Sequence, residues 1–147
     1  MRSWATEELK YAALPDKRLN KRLIKIVENL AQQPHASIPQ ASGDWASTKA
    51  TYNFWQSKRV DAQEIIEAHR KQTAQRGSKE EFILAIQDTS DFNFTHHPEK
   101  NEEQGFGMTC AQKYVRGLKV HSIMASTTQG VPLGILEQQI WTRPLKT

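Results

Sequence analysis

The chain has 147 residues, of which 37% are hydrophobic, and its formal net charge is +4. This length allows one ordinary domain or two small ones. No apolar run approaches the roughly 18 residues that a membrane span needs, and the first residues lack the apolar core of a signal peptide. The single cysteine, Cys110, cannot form an internal disulfide. We therefore expect a cytoplasmic, reducing setting and no membrane partner.

The excess positive charge lies in the first part of the chain. Residues 1–81 contain 14 Lys and Arg against 10 Asp and Glu, whereas residues 82–147 contain six of each class. Between Lys10 and Lys25, six basic residues are opposed only by Asp16. Such a patch favours a polyanionic partner. A solvated helix face would give the same pattern, so charge alone leaves both interpretations open.

The first half of the chain predicts three helices. In residues 16–33, apolar side chains recur at three- and four-residue steps and form one stripe. Pro15 suits the first turn of this helix because its missing N–H is not needed there. We expect a second helix over residues 44–57, capped by Asp44 and rich in aromatic residues. A capping box beginning at Asp61 predicts the third helix, which runs to about residue 75.

Between the first two helices, residues 33–40 contain two prolines and predict a loop. After residue 78 the pattern changes from helical to strand-like. Five apolar residues at 82–86 lead to Asp88 and predict a buried strand that ends in a carboxylate. The apolar runs at 119–126 and 131–141 predict a hairpin, and residues 89–118 between them and the first strand predict a long loop.

The fold class predicted from these patterns is α+β. Residues 1–77 form a small helical domain, and residues 78–147 form a second domain of three strands.

Asp88 is the first candidate for chemistry. Mg²⁺ prefers carboxylate oxygens, and two-metal phosphoryl-transfer sites clamp the attacking and leaving oxygens between two such ions. A rigid strand is a good place for a ligand of this kind. An Asx-turn at the strand end, helped by Thr89 and Ser90, explains the same residue without a metal.

Other candidates carry weaker signals. Adjacent His96 and His97 point to opposite sides of an extended segment, so they rarely share one ion, and a structural or substrate-facing role is favoured. His121 is most simply a hydrogen-bonded sheet residue. Cys110 lacks the partners that would activate it. The aromatic residues of the second helix are core candidates first, with Tyr52 or a Trp at its edge as a possible DNA contact.

Taken together, several short segments resemble a known family. In chain order these segments are 14–19 (LPDKRL), 22–23 (RL), 37–43 (SIPQASG), 45–54 (WASTKATYNF), 85–90 (AIQDTS), 93–98 (NFTHHP), 120–122 (VHS), 130–134 (GVPLG) and 141–144 (WTRP). The chain resembles the amino-terminal part of bacterial cut-and-paste DDE transposases of the insertion-sequence-four family. The resemblance covers nearly the whole chain, in order and with similar spacing.

The resemblance implies a helical domain that binds double-stranded DNA at the terminal inverted repeats of a transposon. It implies that residues 78–147 are the first strands of an RNase H-like catalytic domain and that the protein is associated with the bacterial nucleoid. The DNA-binding residues implied by the match and by the local positive charge are Lys17, Arg18, Lys21, Arg22, Lys49, Tyr52, Asn53, Lys58 and Arg59. Relatives often have Arg where this chain has Asn53, which would change one DNA contact.

In the family, three carboxylates bind Mg²⁺, and Asp88 corresponds to the first of them. The second Asp and the Glu lie beyond the matched part. We therefore expect a catalytically incomplete, truncated product that does not hold Mg²⁺ stably. Two interpretations compete with this one. In the first, the chain is a non-catalytic regulator that pairs with full-length transposase or with itself. In the second, it is a soluble protein whose basic helix is only a solvated face.

Overall fold

The computed structural model describes residues 3–97, 106–109 and 115–143. Its elements are α1 (Trp4–Glu8), α2 (Lys17–Gln32), α3 (Ile38–Ser42), α4 (Trp45–Gln56), α5 (Ala62–Gly77), β1 (Ile83–Asn93), β2 (Gly117–Thr127) and β3 (Pro132–Trp141). Helices followed by strands confirm the α+β layout. The chain divides into two compact units, Met1–Gln72 and Thr73–Thr147. This division falls within α5, whereas the boundary predicted from the sequence, after residue 77, lies at the end of that helix and stays a prediction.

The first predicted helix is present as α2. The side chain of its N-cap, Asp16, accepts a hydrogen bond from the backbone N–H of Arg18 at 2.8 Å. The prediction for Pro15 was wrong, because the extended backbone of Asp16 puts the cap after the proline and leaves Pro15 outside the first turn. Leu23 and Ile26 are buried along the predicted apolar stripe.

The loop predicted over residues 33–40 was wrong at its end, because a short helix, α3, begins at Ile38. Pro39 lies in its first turn, where a missing N–H costs nothing. The side-chain oxygen of Gln40 accepts hydrogen bonds from the backbone N–H of Ser37 at 2.9 Å and from its hydroxyl at 2.8 Å. Gly43 then ends the helix with a positive φ of 81°, a conformation that favours glycine.

The second and third predicted helices are α4 and α5. The Asp44 side chain caps α4 by accepting from the backbone N–H of Ser47 at 2.7 Å. Before α5, the Asp61 side chain accepts from the backbone N–H of Gln63 at 2.8 Å. Both acidic residues therefore satisfy N–H groups that a helix leaves without an internal partner.

The hydrophobic core of the amino-terminal unit joins the segment after α1 with helices α2, α4 and α5. Its buried members are Leu9, Ala12, Leu14, Leu23, Ile26, Phe54 and Ala68. Because α2 and α4 both bury residues in this core, their remaining faces are available to solvent and to partners.

The second unit contains an antiparallel sheet in the order β1-β2-β3. The predicted hairpin is confirmed between β2 and β3. In its turn, Gly130 donates its backbone N–H to the Thr127 carbonyl oxygen at 3.0 Å, and Thr127 donates to the Val131 carbonyl oxygen at 2.9 Å. Gly130 has a φ of 85°, which explains glycine at this position.

Two expectations for the first strand were wrong. All eleven residues of β1 are exposed, so the strand is not buried. Among the strands that the structure describes, β1 pairs only with β2 and lies at an edge of the sheet. The strand also continues past Asp88 to Asn93, because β2 provides pairing partners as far as the Asn93–Gly117 pair.

The long loop predicted over residues 89–118 is shorter than expected, because β1 extends to Asn93 and β2 begins at Gly117. Backbone bridges also order part of it. Met108 forms isolated bridges with Arg116 and with Arg143. A Cβ added to Gly107 would lie 1.5 Å from the carbonyl oxygen of Arg143, so this close approach requires glycine. Residues 98–105 and 110–114, including the predicted positions Pro98 and Cys110, lie outside the described residues.

Candidate nucleic-acid interface

One side of α2 carries a row of cations, which we call the basic stripe and define as Arg18, Lys21, Arg22 and Lys25. Their spacing of three, four and seven residues places them on adjacent turns of one helix face, over about 10 Å. They line a shallow groove of about 380 Å³. Arg22 is half-buried and the other three are exposed. Lys17 is exposed one turn before Lys21 and extends the positive surface toward the start of the helix.

The turn after α4 returns the chain to the start of α2. Arg59 Nη2 lies 3.5 Å from Asp16 Oδ2, so Arg59 lies near the Arg18 end of the basic stripe, and the exposed Lys58 precedes it in the chain. The hydrogen bond from the Arg18 backbone N–H, together with the positive charges of Arg59 and Arg18, holds the pKa of Asp16 below its ordinary value of 3.8. Asp16 is therefore ionised at neutral pH and offsets part of the charge of Arg59.

A second carboxylate, Asp44, caps α4, the helix that is in contact with α2. Hydrogen bonds from the backbone N–H and the hydroxyl of Ser47, at 2.7 and 2.8 Å, lower the pKa of Asp44, and the charge of Lys25 contributes to the same shift. Asp16 and Asp44 therefore both act as helix caps whose carboxylates are held in the ionised form.

The solvent side of α4 carries a mixed aromatic and polar row, which we call the α4 face. Its exposed members, at steps of three, four and seven residues, are Trp45, Lys49, Tyr52, Asn53 and Gln56. The opposite side of the helix is buried. Its two threonines satisfy their hydroxyls by donating to backbone oxygens one turn earlier, Thr48 to Asp44 at 2.8 Å and Thr51 to Ser47 at 3.0 Å.

The nine predicted DNA-binding residues therefore fall into two clusters. Lys17, Arg18, Lys21, Arg22, Lys58 and Arg59 lie at or near the basic stripe, and Lys49, Tyr52 and Asn53 lie on the α4 face. The predicted DNA-binding set left out three residues of these surfaces, Lys25, Trp45 and Gln56. Lys25 was counted in the positive patch and continues the helical spacing of Arg18 and Arg22. The aromatic residues of the second helix were interpreted as core first, but Trp45 is exposed and Phe54 is buried.

Asp88 lies in the middle of β1 with its side chain exposed, and not at a strand end. Directly paired residues share a face in an antiparallel sheet, so Asp88 shares its face with Ser122 and, through β2, with Gln138. The Gln138 amide donates to the Ser122 hydroxyl oxygen at 3.1 Å. Within residues 3–97, 106–109 and 115–143, no group of three or more His, Cys, Asp or Glu residues is placed to hold a metal ion.

The opposite face of the sheet carries two cross-strand pairs. Thr89 Oγ1 and His121 Nδ1 are 2.7 Å apart, which confirms His121 as a hydrogen-bonded sheet residue. Lys119 forms an ion pair with Asp91 on the same face. His97 contacts the ring of Phe94 edge-on, with ring centroids 6.3 Å apart, and both His96 and His97 are exposed.

A comparison with known protein families gives a match in the amino-terminal part of the chain. Residues 1–60 match the family model described as "Transposase DNA-binding". The matched range contains the whole basic stripe, the α4 face and all nine predicted DNA-binding residues. The match supports a transposase DNA-binding domain in this part of the chain, with DNA as its partner. None of the helices in the described residues is both long and apolar enough to span a membrane.

Proposed function

We propose that the amino-terminal unit binds the terminal inverted repeats of a mobile DNA element, as the end-binding part of a cut-and-paste DDE transposase of the insertion-sequence-four type. The observation that carries this proposal is the basic stripe, a continuous row of four cations within the residues that match a transposase DNA-binding family. Cations at helical spacing along one groove suit the regularly spaced phosphates of duplex DNA.

The two clusters have different roles in DNA recognition. The basic stripe holds the phosphate backbone, which fixes the position of the protein but carries no sequence information. The α4 face supplies side chains that read base edges. An Asn amide pairs with the N6 and N7 atoms of adenine, and a Lys donates to the O6 and N7 atoms of guanine. Asn53 and Lys49, both exposed one turn apart, are the residues we assign to sequence reading.

We further propose that the sheet is the opening part of an RNase H-like domain, in which Asp88 contributes one oxygen ligand to Mg²⁺. The described residues do not fit a two-metal site by themselves, because they bring no second carboxylate to the Asp88 face. One carboxylate leaves most of the charge that develops at phosphorus without stabilisation. We therefore assign DNA binding, but no cleavage step, to the described residues.

A second candidate function is a non-catalytic regulator that binds full-length transposase or the same DNA ends. The observation in its favour is the exposed edge strand β1, on which Leu84, Ile86 and Phe92 share one face. Unpaired strand edges with apolar side chains associate readily with another chain. Ile86→Lys should then abolish co-purification with full-length enzyme and leave DNA binding unchanged, whereas equal co-purification of the variant would contradict the regulator.

A mobility-shift assay with paired variants tests the DNA-binding proposal. Arg18→Glu together with Arg22→Glu reverses two charges in the basic stripe, and Lys71→Glu together with Lys79→Glu makes the same change in net charge elsewhere. We expect the first variant to lose duplex binding and the control to keep it. The element's terminal repeat should bind more tightly than a scrambled duplex at moderate salt. Equal binding to both would contradict end recognition, and equal loss in both variants would contradict the assigned surface.

A further inference from the structure

Tyr52 and Trp55 form an exposed aromatic pair in the second half of α4. Their ring centroids are 5.9 Å apart and their planes meet at 86°, an edge-to-face arrangement that aromatic side chains favour. Tyr52 is 42% exposed and Trp55 is 47% exposed. Aromatic side chains on a helix point back toward its amino terminus, so a ring covers the residue three positions earlier. Trp55 therefore limits the orientations that the Tyr52 ring can take.

The other side of Trp55 belongs to the packed part of the helical unit. Trp55 lines an apolar groove of about 360 Å³ together with its neighbour Phe54, with Leu30 of α2 and with Ile65 of α5. Phe54 is buried in the hydrophobic core. Trp55 thus lies at the border between the core side of α4 and the α4 face. It connects the ring of Tyr52 to side chains of the packed helices.

Tyr52 is placed to contact DNA through its hydroxyl group. It follows Lys49 by three residues and directly precedes Asn53, the two residues that we assign to sequence reading. A phenolic O–H can donate to a phosphate oxygen, and contacts of this kind fix the position of a protein on the duplex. A single hydroxyl cannot make the bidentate contacts by which amide and guanidinium groups identify a base. The chemistry of Tyr52 therefore favours the DNA backbone.

The contact with Trp55 prepares Tyr52 for such a role. An exposed side chain that becomes immobilised on binding loses rotamer freedom, and this loss weakens the affinity by about two- to tenfold for each side chain. A ring that already packs against a neighbour has lost part of this freedom in the free protein. Trp55 can therefore raise the affinity for DNA by acting on Tyr52, without a DNA contact of its own.

We propose that Trp55 is a positioning residue that holds Tyr52 in the orientation in which its hydroxyl donates to a DNA phosphate beside the base that Asn53 reads. This inference rests on the proposed function, because it requires the α4 face to lie on DNA. The phosphate contact of Tyr52 then sets how far α4 stands from the backbone. The adjoining Asn53 is presented to the base edge at a fixed depth.

The experiment measures duplex affinity by fluorescence anisotropy at one fixed salt concentration. Tyr52→Phe removes the hydroxyl but keeps the ring, and it should lower the affinity about tenfold. Trp55→Leu should lower the affinity about fivefold while the hydroxyl is present. In the Tyr52→Phe protein it should cause no further loss, because no hydroxyl remains to be positioned. Trp4→Leu is the matched control, since Trp4 is an exposed tryptophan of α1. It should leave the affinity unchanged in both proteins.

A spectroscopic measurement checks the ring contact directly. The ring of Trp55 should shift the NMR resonances of the Tyr52 ring protons, and Trp55→Leu should abolish this shift. Trp55→Phe keeps a smaller ring against Tyr52 and should lose part of the affinity, again only when the hydroxyl is present. It replaces Trp55→Leu if that variant does not fold.

Two results would overturn the inference while salt-dependent duplex binding still supports the proposed function. One is an equal loss from Trp55→Leu with and without the Tyr52 hydroxyl, which would mean that Trp55 contacts DNA itself or only supports the helix. The other is unchanged affinity in Tyr52→Phe. If the unsubstituted protein shows no salt-dependent duplex binding, the proposed function and the inference both fail.

Discussion

The sharpest prediction concerns how salt weakens DNA binding by the basic stripe. Each phosphate that a protein cation neutralises releases bound counterions from the duplex, so the affinity falls as salt rises. The stripe supplies four such cations, Arg18, Lys21, Arg22 and Lys25, along one groove. Replacing Arg18 and Arg22 by Ala halves this number without adding negative charge.

The magnitude follows from counting cations. Four phosphate contacts give a logarithmic salt slope of about −3.6, and two contacts give about −1.8. Between 50 and 200 mM salt, the unsubstituted protein should therefore lose about 150-fold in affinity, and the double variant should lose only about 12-fold. Contacts from Lys17 or Lys58 would steepen both slopes equally, so the difference of about 1.8 between the slopes is the quantity to test.

The assay is fluorescence anisotropy of a labelled duplex, titrated with protein at several salt concentrations. Lys71→Ala with Lys79→Ala is the control, since both residues are exposed and lie outside the stripe. Its slope should match that of the unsubstituted protein. Identical slopes for the stripe variant and the unsubstituted protein would refute the reasoning. A control that loses as much slope as the stripe variant would show diffuse attraction with no localised contact.

Three further outcomes are expected. Phe54→Ala should destabilise the helical unit by about 3–5 kcal/mol in urea unfolding, because Phe54 is only 3% exposed in the core, whereas Gln56→Ala should change little. Asp44→Ala should lower the melting temperature at neutral pH. Since the folded pKa of Asp44 is depressed, the stabilisation that its carboxylate provides is present above pH 3.8 and is lost as the pH falls further. The melting temperatures of Asp44→Ala and of the unsubstituted protein should therefore converge in acid. Asp16→Asn should keep the helix cap but release Arg59, steepening the salt slope by up to about 0.9. An unchanged slope would mean that Arg59 stays away from DNA.

The helices and the hairpin could be predicted because their signals are local. Asp16 and Asp44 are capping residues directly before amphipathic runs, and Gly130 marks the turn between two apolar runs. Helix α3 was missed because Pro39 was taken as a loop residue, although proline is well tolerated in a first turn. Arg18 and Arg22 were named from the family resemblance and the local positive charge, and their helical spacing leads on to Lys25.

Strand β1 could not be predicted to the same extent, because its limits depend on distant residues. The apolar run at 82–86 indicates a strand, but it does not say which element covers it. Asp88 was expected at the strand end because the apolar run ends there. The backbone continues to pair as far as Asn93 since Gly117 and the residues after it lie opposite. Pairing partners some 30 residues away therefore set the length of the strand.

The helix-capping carboxylate at the start of α2 connects folding with recognition. Asp16 and Asp44 each cap a helix, so the sequence must keep an acceptor at both positions for α2 and α4 to begin where they do. Serine, threonine or asparagine would cap equally well without a charge. Aspartate at position 16 adds a second effect, because its carboxylate lies 3.5 Å from the guanidinium of Arg59 and offsets part of that positive charge. Asparagine would keep the cap and leave the full charge of Arg59 to a phosphate. The residue that starts α2 therefore also limits how strongly this end of the basic stripe attracts the DNA backbone.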